Sequence, residues 1–344
     1  MMRRVLFLCG LLLAVGSCDR SSAPTPAASS APAKKLRIVS MAPALTQMVV
    51  DMDMADQIVG TARIDPAVLP GTPNLGDYEH IDYEKLLLLN PTHVLTMTDA
   101  SVVTSPKLID WARGGKFILA SYQVPRRIID IMEIILTGNI EERRAEVFPT
   151  PLNEKFGLLD VLGQGDMKML GNFTRRLNAL KGVTGSTDRG KRVLLVIETN
   201  PTFLASGRGT VFHEVLTAYA RATNVAITAT VPAPVFNREK LLRTAPDVIV
   251  LLLPDAPPLE SIEDDPRLAI LRDLDIPAVK NDRIVLINHP LAQLPSTSLP
   301  TIAVLMAKAV HPQLADRIDK AMLQFKLFGN GDEGAAPDAT TVNP

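Results

Sequence analysis

Two glutamates stand at matching places in the chain. Glu84 and Glu239 each occupy the second position of a helical segment opened by Asp82 or Asn237. A carboxylate there interacts favourably with the partial positive charge of a helix amino end. His80 and His289 form the next pair, and imidazoles can ligate a metal or, with Tyr78, a haem iron. Two histidines without a further carboxylate make too few ligands for a metal site, and no HxH or HExxH spacing occurs. Arg63 and Arg208 offer guanidinium forks whose geometry suits carboxylates and anionic chelates. Catalytic patterns are missing: there is no G-x-S-x-G elbow, P-loop or G-x-G-x-x-G. Gly163-Gln-Gly165 and Gly207-Arg-Gly209 lack the rest of a phosphate loop. The only cysteines are Cys9 and Cys18, so no thiol nucleophile, thiolate metal site or disulfide is available after position 18. This chemistry points to binding rather than turnover.

Composition narrows the partners. Thirty-six Lys and Arg against 37 Asp and Glu give a net charge of -1, with no basic stripe, so nucleic acid is not expected. At 47% hydrophobic and 21% charged, 344 residues supply a core large enough for two lobes and exclude bulk disorder. Aromatic residues are 4% of the chain, which leaves few platforms for a large flat ligand.

The amino terminus reads as an address. Arg3 and Arg4 precede an apolar run from Val5 to Val15, too short to span a bilayer and suited to a signal peptide. Its end, Val15-Gly-Ser-Cys18, resembles the lipobox of bacterial lipoproteins. That implies removal of residues 1–17 and lipidation of Cys18. From Ser21 to Ala33 every residue is Ser, Ala, Pro or Thr, so residues 18–35 are expected to be a tether that cannot bury enough surface to fold. Residues 329–344 are expected to be a disordered tail. The expectation is an exported chain held at the cell membrane by its lipid alone, facing the periplasm or the exterior.

Between these ends the pattern is α/β. Leu36–Met41, Gln57–Thr61, His93–Met97 and Lys116–Ala120 read as strands, and Pro43, Asp82 and Pro106 open helices. Downstream, Lys191–Ile197 and Asp247–Leu253 read as strands, Val211–Thr223 as a helix, and Asn237 as the cap of another. Asp82-Tyr-Glu-Lys-Leu-Leu-Leu-Leu-Asn-Pro91 aligns with Asn237-Arg-Glu-Lys-Leu-Leu-Arg-Thr-Ala-Pro246 at an offset of 155, which also lays Arg37 over Arg192. Two similar lobes, 36–137 and 190–328, are therefore expected. Residues 138–189 lie between them; Arg126–Leu136, just before, and Asp166–Leu180, within, have helical spacing. Pro149 and Pro151 forbid one unbroken helix there.

Several segments, in order, resemble one family. They are Arg37-Ile-Val-Ser-Met-Ala-Pro-Ala-Leu-Thr46, Gly76-Asp-Tyr, Asn90-Pro-Thr-His-Val-Leu95, Asn200-Pro-Thr-Phe, Ser206-Gly207, Ala245-Pro-Asp-Val-Ile-Val250 and Ile276-Pro-Ala-Val-Lys-Asn-Asp-Arg-Ile-Val285. Together they are similar to the periplasmic-binding proteins for iron chelates and vitamin B12. The resemblance implies two α/β lobes joined by a long connecting helix, with a stiff ligand cleft between them. It implies ligand contacts at Tyr78 and Phe203, and the loops at strand ends add Arg63 and Arg208, by charge, and His289 as further expected contacts. It also implies that Glu84 and Glu239, one per lobe, dock into arginine pockets of a membrane permease. The expected protein is a monomeric substrate-binding lipoprotein of an ABC importer, with no catalysis and no cofactor of its own. Its expected ligand is an iron(III)-siderophore-type chelate, with cobalamin or haem as alternatives and a secreted enzyme on the same scaffold as the reading of a different class. The chain departs from the family at about 138–163, which reads as an insertion.

Overall fold

Two sheets carry the fold. The computed structural model describes residues 35–62, 69, 71–77, 80–98, 104–136, 158–163, 168–228, 231–326 and 340–341. From Leu36 onward they belong to a single unit. Cys18 with its signal and tether, Arg63, Tyr78 and most of the expected insertion lie outside the described residues.

The first lobe runs β1 (Ile38–Ser40), α1 (Pro43–Asp51), β2 (Ile58–Thr61), α2 (Tyr83–Leu88), β3 (His93–Thr98), α3 (Pro106–Arg113) and β4 (Ile118–Gln123). Its sheet has the order β2-β1-β3-β4, and every pair is parallel. Pro43 and Pro106 sit at the first turns of α1 and α3, where a missing N–H costs nothing. Next come α4 (Ile128–Leu136), α5 (Leu158–Leu162) and α6 (Lys168–Thr184). The 17 residues of α6 span about 25 Å. It is the connecting helix.

The second lobe contains β5 (Arg192–Thr199), β6 (Phe203–Ala205), α7 (Val211–Glu214), β7 (Thr223–Asn224), β8 (Val235–Phe236), α8 (Arg238–Thr244), β9 (Val248–Leu252), α9 (Pro277–Lys280) and β10 (Ile284–Ile287). α10 (Leu299–Val310) and α11 (Ala315–Lys326) follow. β10, β9 and β5 are parallel, while β6 and β8 continue the sheet antiparallel. The helix expected over Val211–Thr223 differs. α7 gives way to a π-helix over Val215–Tyr219, Arg221 turns left-handed at φ 53°, and Thr223 already belongs to β7, parallel to β5. In the expected tail, Thr340–Thr341 form β11, antiparallel to β10.

The repeat at offset 155 recurs in the hydrogen bonds. Ile38 faces His93 across the β1–β3 ladder, and Val193 faces Val248 across the β5–β9 ladder. Arg37 Nη2 donates to Leu89 O at 2.6 Å, closing the last turn of α2, and Arg192 Nη2 donates to Thr244 O at the end of α8. Thr92 N donates to Arg37 O (2.9 Å), as Asp247 N does to Arg192 O (2.7 Å). Each helix then ends on a left-handed residue, Asn90 or Ala245, followed by a proline that cannot continue it.

Alternate strand residues face opposite ways, so each sheet buries two surfaces. On the outer face of the first lobe Val39, Val94 and Leu119 pack with Leu86 of α2 and Leu108 of α3. The outer face of the second lobe brings Leu194, Val196, Ile249 and Leu251 together with Leu241 of α8. The inner faces share one core. Ile38, Leu95 and Tyr122 belong to the same apolar cluster as Val193, Leu195 and Val250, linked through α1, α4, α5, α6, α10 and α11. α5 contributes buried Leu158 and Leu162 to it. The lobes are thus packed against common helices over a continuous interior.

Candidate functional site

In α/β sheets a ligand crevice forms beyond the carboxyl ends of the parallel strands. Here those ends are Ser40, Thr61, Thr98 and Gln123 in the first lobe and Thr199, Leu252 and Ile287 in the second. His289 stands two residues past β10, half-buried, with Nδ1 accepting from Leu291 N at 3.1 Å. His80 is exposed and sits 3.3 Å from Asp77. Gly76 shapes that loop. Its φ of 90° is left-handed, and a Cβ there would lie 2.0 Å from the His80 carbonyl.

Two expected contacts are placed differently. Phe203 is fully buried in the outer core of the second lobe, on β6 opposite Phe236, so its ring packs the lobe and does not line an open crevice. Arg208 is exposed, but β6 runs antiparallel to β5 and Ser206 N already reaches back to Leu195 O (2.8 Å). Arg208 thus follows a strand that runs back along β5, two residues after the bond to Leu195. With burial as the larger cause, its charge helps to hold the His213 pKa below the ordinary imidazole value. His93 and His311 are likewise depressed by burial. His311 Nε2 donates to Ala220 O at 2.8 Å. Among the described residues no cluster of three or more His, Cys, Asp or Glu could hold a metal ion.

The crevice also contains groups that sequence reasoning passed over. Beyond β4, Arg126 and Arg127 are exposed while Asp130 is buried. The Asp130 carboxylate accepts from the amides of Arg126 (3.0 Å) and Arg127 (2.9 Å) and takes a bidentate fork from the Arg127 guanidinium (2.9 and 2.6 Å). This pairing raises the pKa of Arg127. One step further, Ile128 N donates to Glu214 Oε2 of the other lobe at 2.8 Å. In the second lobe Gln293 Nε2 donates to Ile197 O (2.7 Å) and Leu252 O (2.6 Å), tying together the ends of β5 and β9. Thr297 Oγ1 donates to Asp51 Oδ2 at the end of α1, a second link between lobes. The spacing i+4 within Arg126–Asp130 was a possible local signal, whereas contacts across 86 or 246 residues leave none in the chain.

Glu84 and Glu239 are exposed on equivalent helices. Asp82 Oδ1 accepts from Lys85 N and Asn237 Oδ1 from Lys240 N, both at 2.9 Å. The backbone bond from Lys85 is the leading cause that lowers the Asp82 pKa. α2 and α8 end at the amino edge of their sheets, where Arg37 and Arg192 hold their last carbonyls. Both helices cover outer faces, opposite the shared core. Trp111, the sole tryptophan, packs edge-on against Tyr83 at 5.5 Å, next to Glu84.

Comparison with solved structures then bears on the pair of lobes. The chain superposes on the periplasmic haem-binding protein RhuT from Roseiflexus sp. RS-1 in its apo form, with a TM-score of 0.60 and 18% identity. The match covers 83% of this chain and all of that one. It has the fold of the periplasmic solute-binding proteins. The vitamin B12 binding protein BtuF of Vibrio cholerae matches with a TM-score of 0.52 and 19% identity, over 84% of this chain and 98% of that one. An ABC transporter substrate-binding protein from Listeria monocytogenes EGD-e gives 0.52 and 16%, over 81% and 100%. At such identities the likeness is one of fold. No model of a protein family matches the sequence, and no curated protein does. The solute-binding fold accounts for the two lobes, the connecting helix and the crevice between strand ends expected from the sequence.

Proposed function

We propose that the protein is an exported, lipid-anchored substrate-binding component of an ABC importer, which binds an iron(III)-siderophore-type chelate between its lobes and passes it to a membrane permease without chemical change. The observation that carries this reading is the repeat itself. Two lobes fixed on a shared core each present, on an outer face, a capped helix with an exposed glutamate at the same position, Glu84 and Glu239. A partner that engages one glutamate finds the second already positioned, so two modest charge contacts reinforce each other. Haem is the second reading, because RhuT and the haem-binding HutB of Vibrio cholerae share the fold. Cobalamin follows from BtuF. Ligand contacts are assigned to His289 and to Arg63 and Tyr78. Lipid attachment is assigned to Cys18.

The test is a double charge reversal, Glu84→Arg with Glu239→Arg. Uptake through the cognate importer should be lost while ligand affinity and melting stay near those of the unaltered protein. Trp111 emission should respond to the permease in the unaltered protein and not in the variant. Normal uptake by a well-folded double variant would refute the docking role.

A further inference from the structure

Glu214 belongs to the second lobe, yet its carboxylate is spent on the first. Its Oε2 accepts from Ile128 N at 2.8 Å across 86 residues of sequence. Ile128 is the first residue of α4, five positions beyond the end of β4, and so stands on the crevice side of the first lobe. The opening amides of a helix have no partner within it, and a partly buried one left unpaired is costly. At this end the supply is divided: Asp130 serves the amides of Arg126 and Arg127, and Glu214 serves Ile128.

The segment that presents Glu214 is itself held at both ends. Thr210 caps α7 through His213 N (3.2 Å). The π-helix that begins at Val215 is anchored at its far end, where Tyr219 O accepts from Thr184 Oγ1 of α6 (2.8 Å) and Ala220 O from His311 at the end of α10 (2.8 Å). π-helices are rare and recur at functional sites.

We propose that Glu214 is a positioning residue, a clamp whose carboxylate on the amino end of α4 fixes the two lobes relative to each other at the crevice. The clamp also fixes the backbone that carries the exposed Arg126 guanidinium, two residues before Ile128, at the crevice rim. An anionic small molecule bound between the lobes would meet that cation in one place instead of many. This last step rests on the binding function proposed above.

The test compares Glu214→Ala with Glu214→Gln, whose amide oxygen can still accept. Hydrogen exchange of peptides covering 124–136 should quicken about tenfold in the alanine variant and return towards the unaltered rate in the glutamine variant. Spin labels at Asp110→Cys and Asp275→Cys, one per lobe and with Cys9→Ser and Cys18→Ser as background, should give a broader distance distribution in Glu214→Ala. Unchanged exchange, or an unchanged distance distribution, would overturn the clamp. Haem and a ferric tris-catecholate are the binding probes. If either binds the unaltered protein, its dissociation should be faster from Glu214→Ala, and equal rates would overturn the link to the crevice. If neither probe binds the unaltered protein, the iron-chelate reading fails, while the exchange and distance results still decide the clamp.

Discussion

With its ring sealed between β6 and the outer core, Phe203 can reach a ligand only by unpacking the second lobe. Truncating a buried aromatic leaves a cavity, so Phe203→Ala should lower stability by about 3–5 kcal/mol. Chemical denaturation measures this, and titration of the remaining folded protein should give an unaltered affinity. An affinity loss without a stability loss would return the ring to the pocket. Arg126 presents the opposite case. Nothing in the local sequence distinguishes it from Arg127, yet one guanidinium is locked onto Asp130 and its neighbour extends from the rim. Gly76 belongs at this scale too. Its place in a family-like motif was legible, but the reason for it, a left-handed turn pressed against the His80 carbonyl, required coordinates.

Helix signals carried most of the legible information. Asp82 and Asn237 each cap a helix through the residue three positions on, and each helix ends before a proline. Asn237→Ala should cost about 0.5–2 kcal/mol of stability. Asp82→Ala should lower the melting temperature in the same direction, and calorimetry of the two variants checks whether the repeated caps are equivalent. A null effect at both sites would mean that tertiary packing alone holds these helices. The 155-residue offset was visible because the same residue types recur in both helices: a cap bonded to the residue three positions on, a glutamate, two leucines and a closing proline. What sequence could not supply was the direction of each face. Periodicity identifies buried stripes without naming their partner, so the common core beneath both lobes was hidden, as was the π-helix that interrupts the segment from Val211. The path of the loop with Arg208 was hidden for a related reason: a short antiparallel β6 reverses the chain before the loop begins.

At the scale of the molecule, two lobes share helices and a continuous apolar interior, and direct side-chain bonds join them at Glu214–Ile128 and Thr297–Asp51. The proposed function needs such a body to hold a ligand between the lobes and to present α2 and α8 to one permease. The body is poorly suited to large hinge closure, because any wide opening would expose leucines and isoleucines of the common core. The proposed function stands on a small molecule held between the lobes. Native mass spectrometry of the protein purified from its own host should show a one-to-one complex whose added mass is that of an iron chelate, a haem or a corrinoid. A well-folded protein that carries no such ligand, and takes up none when haem, ferric siderophores and cobalamin are supplied, would contradict it.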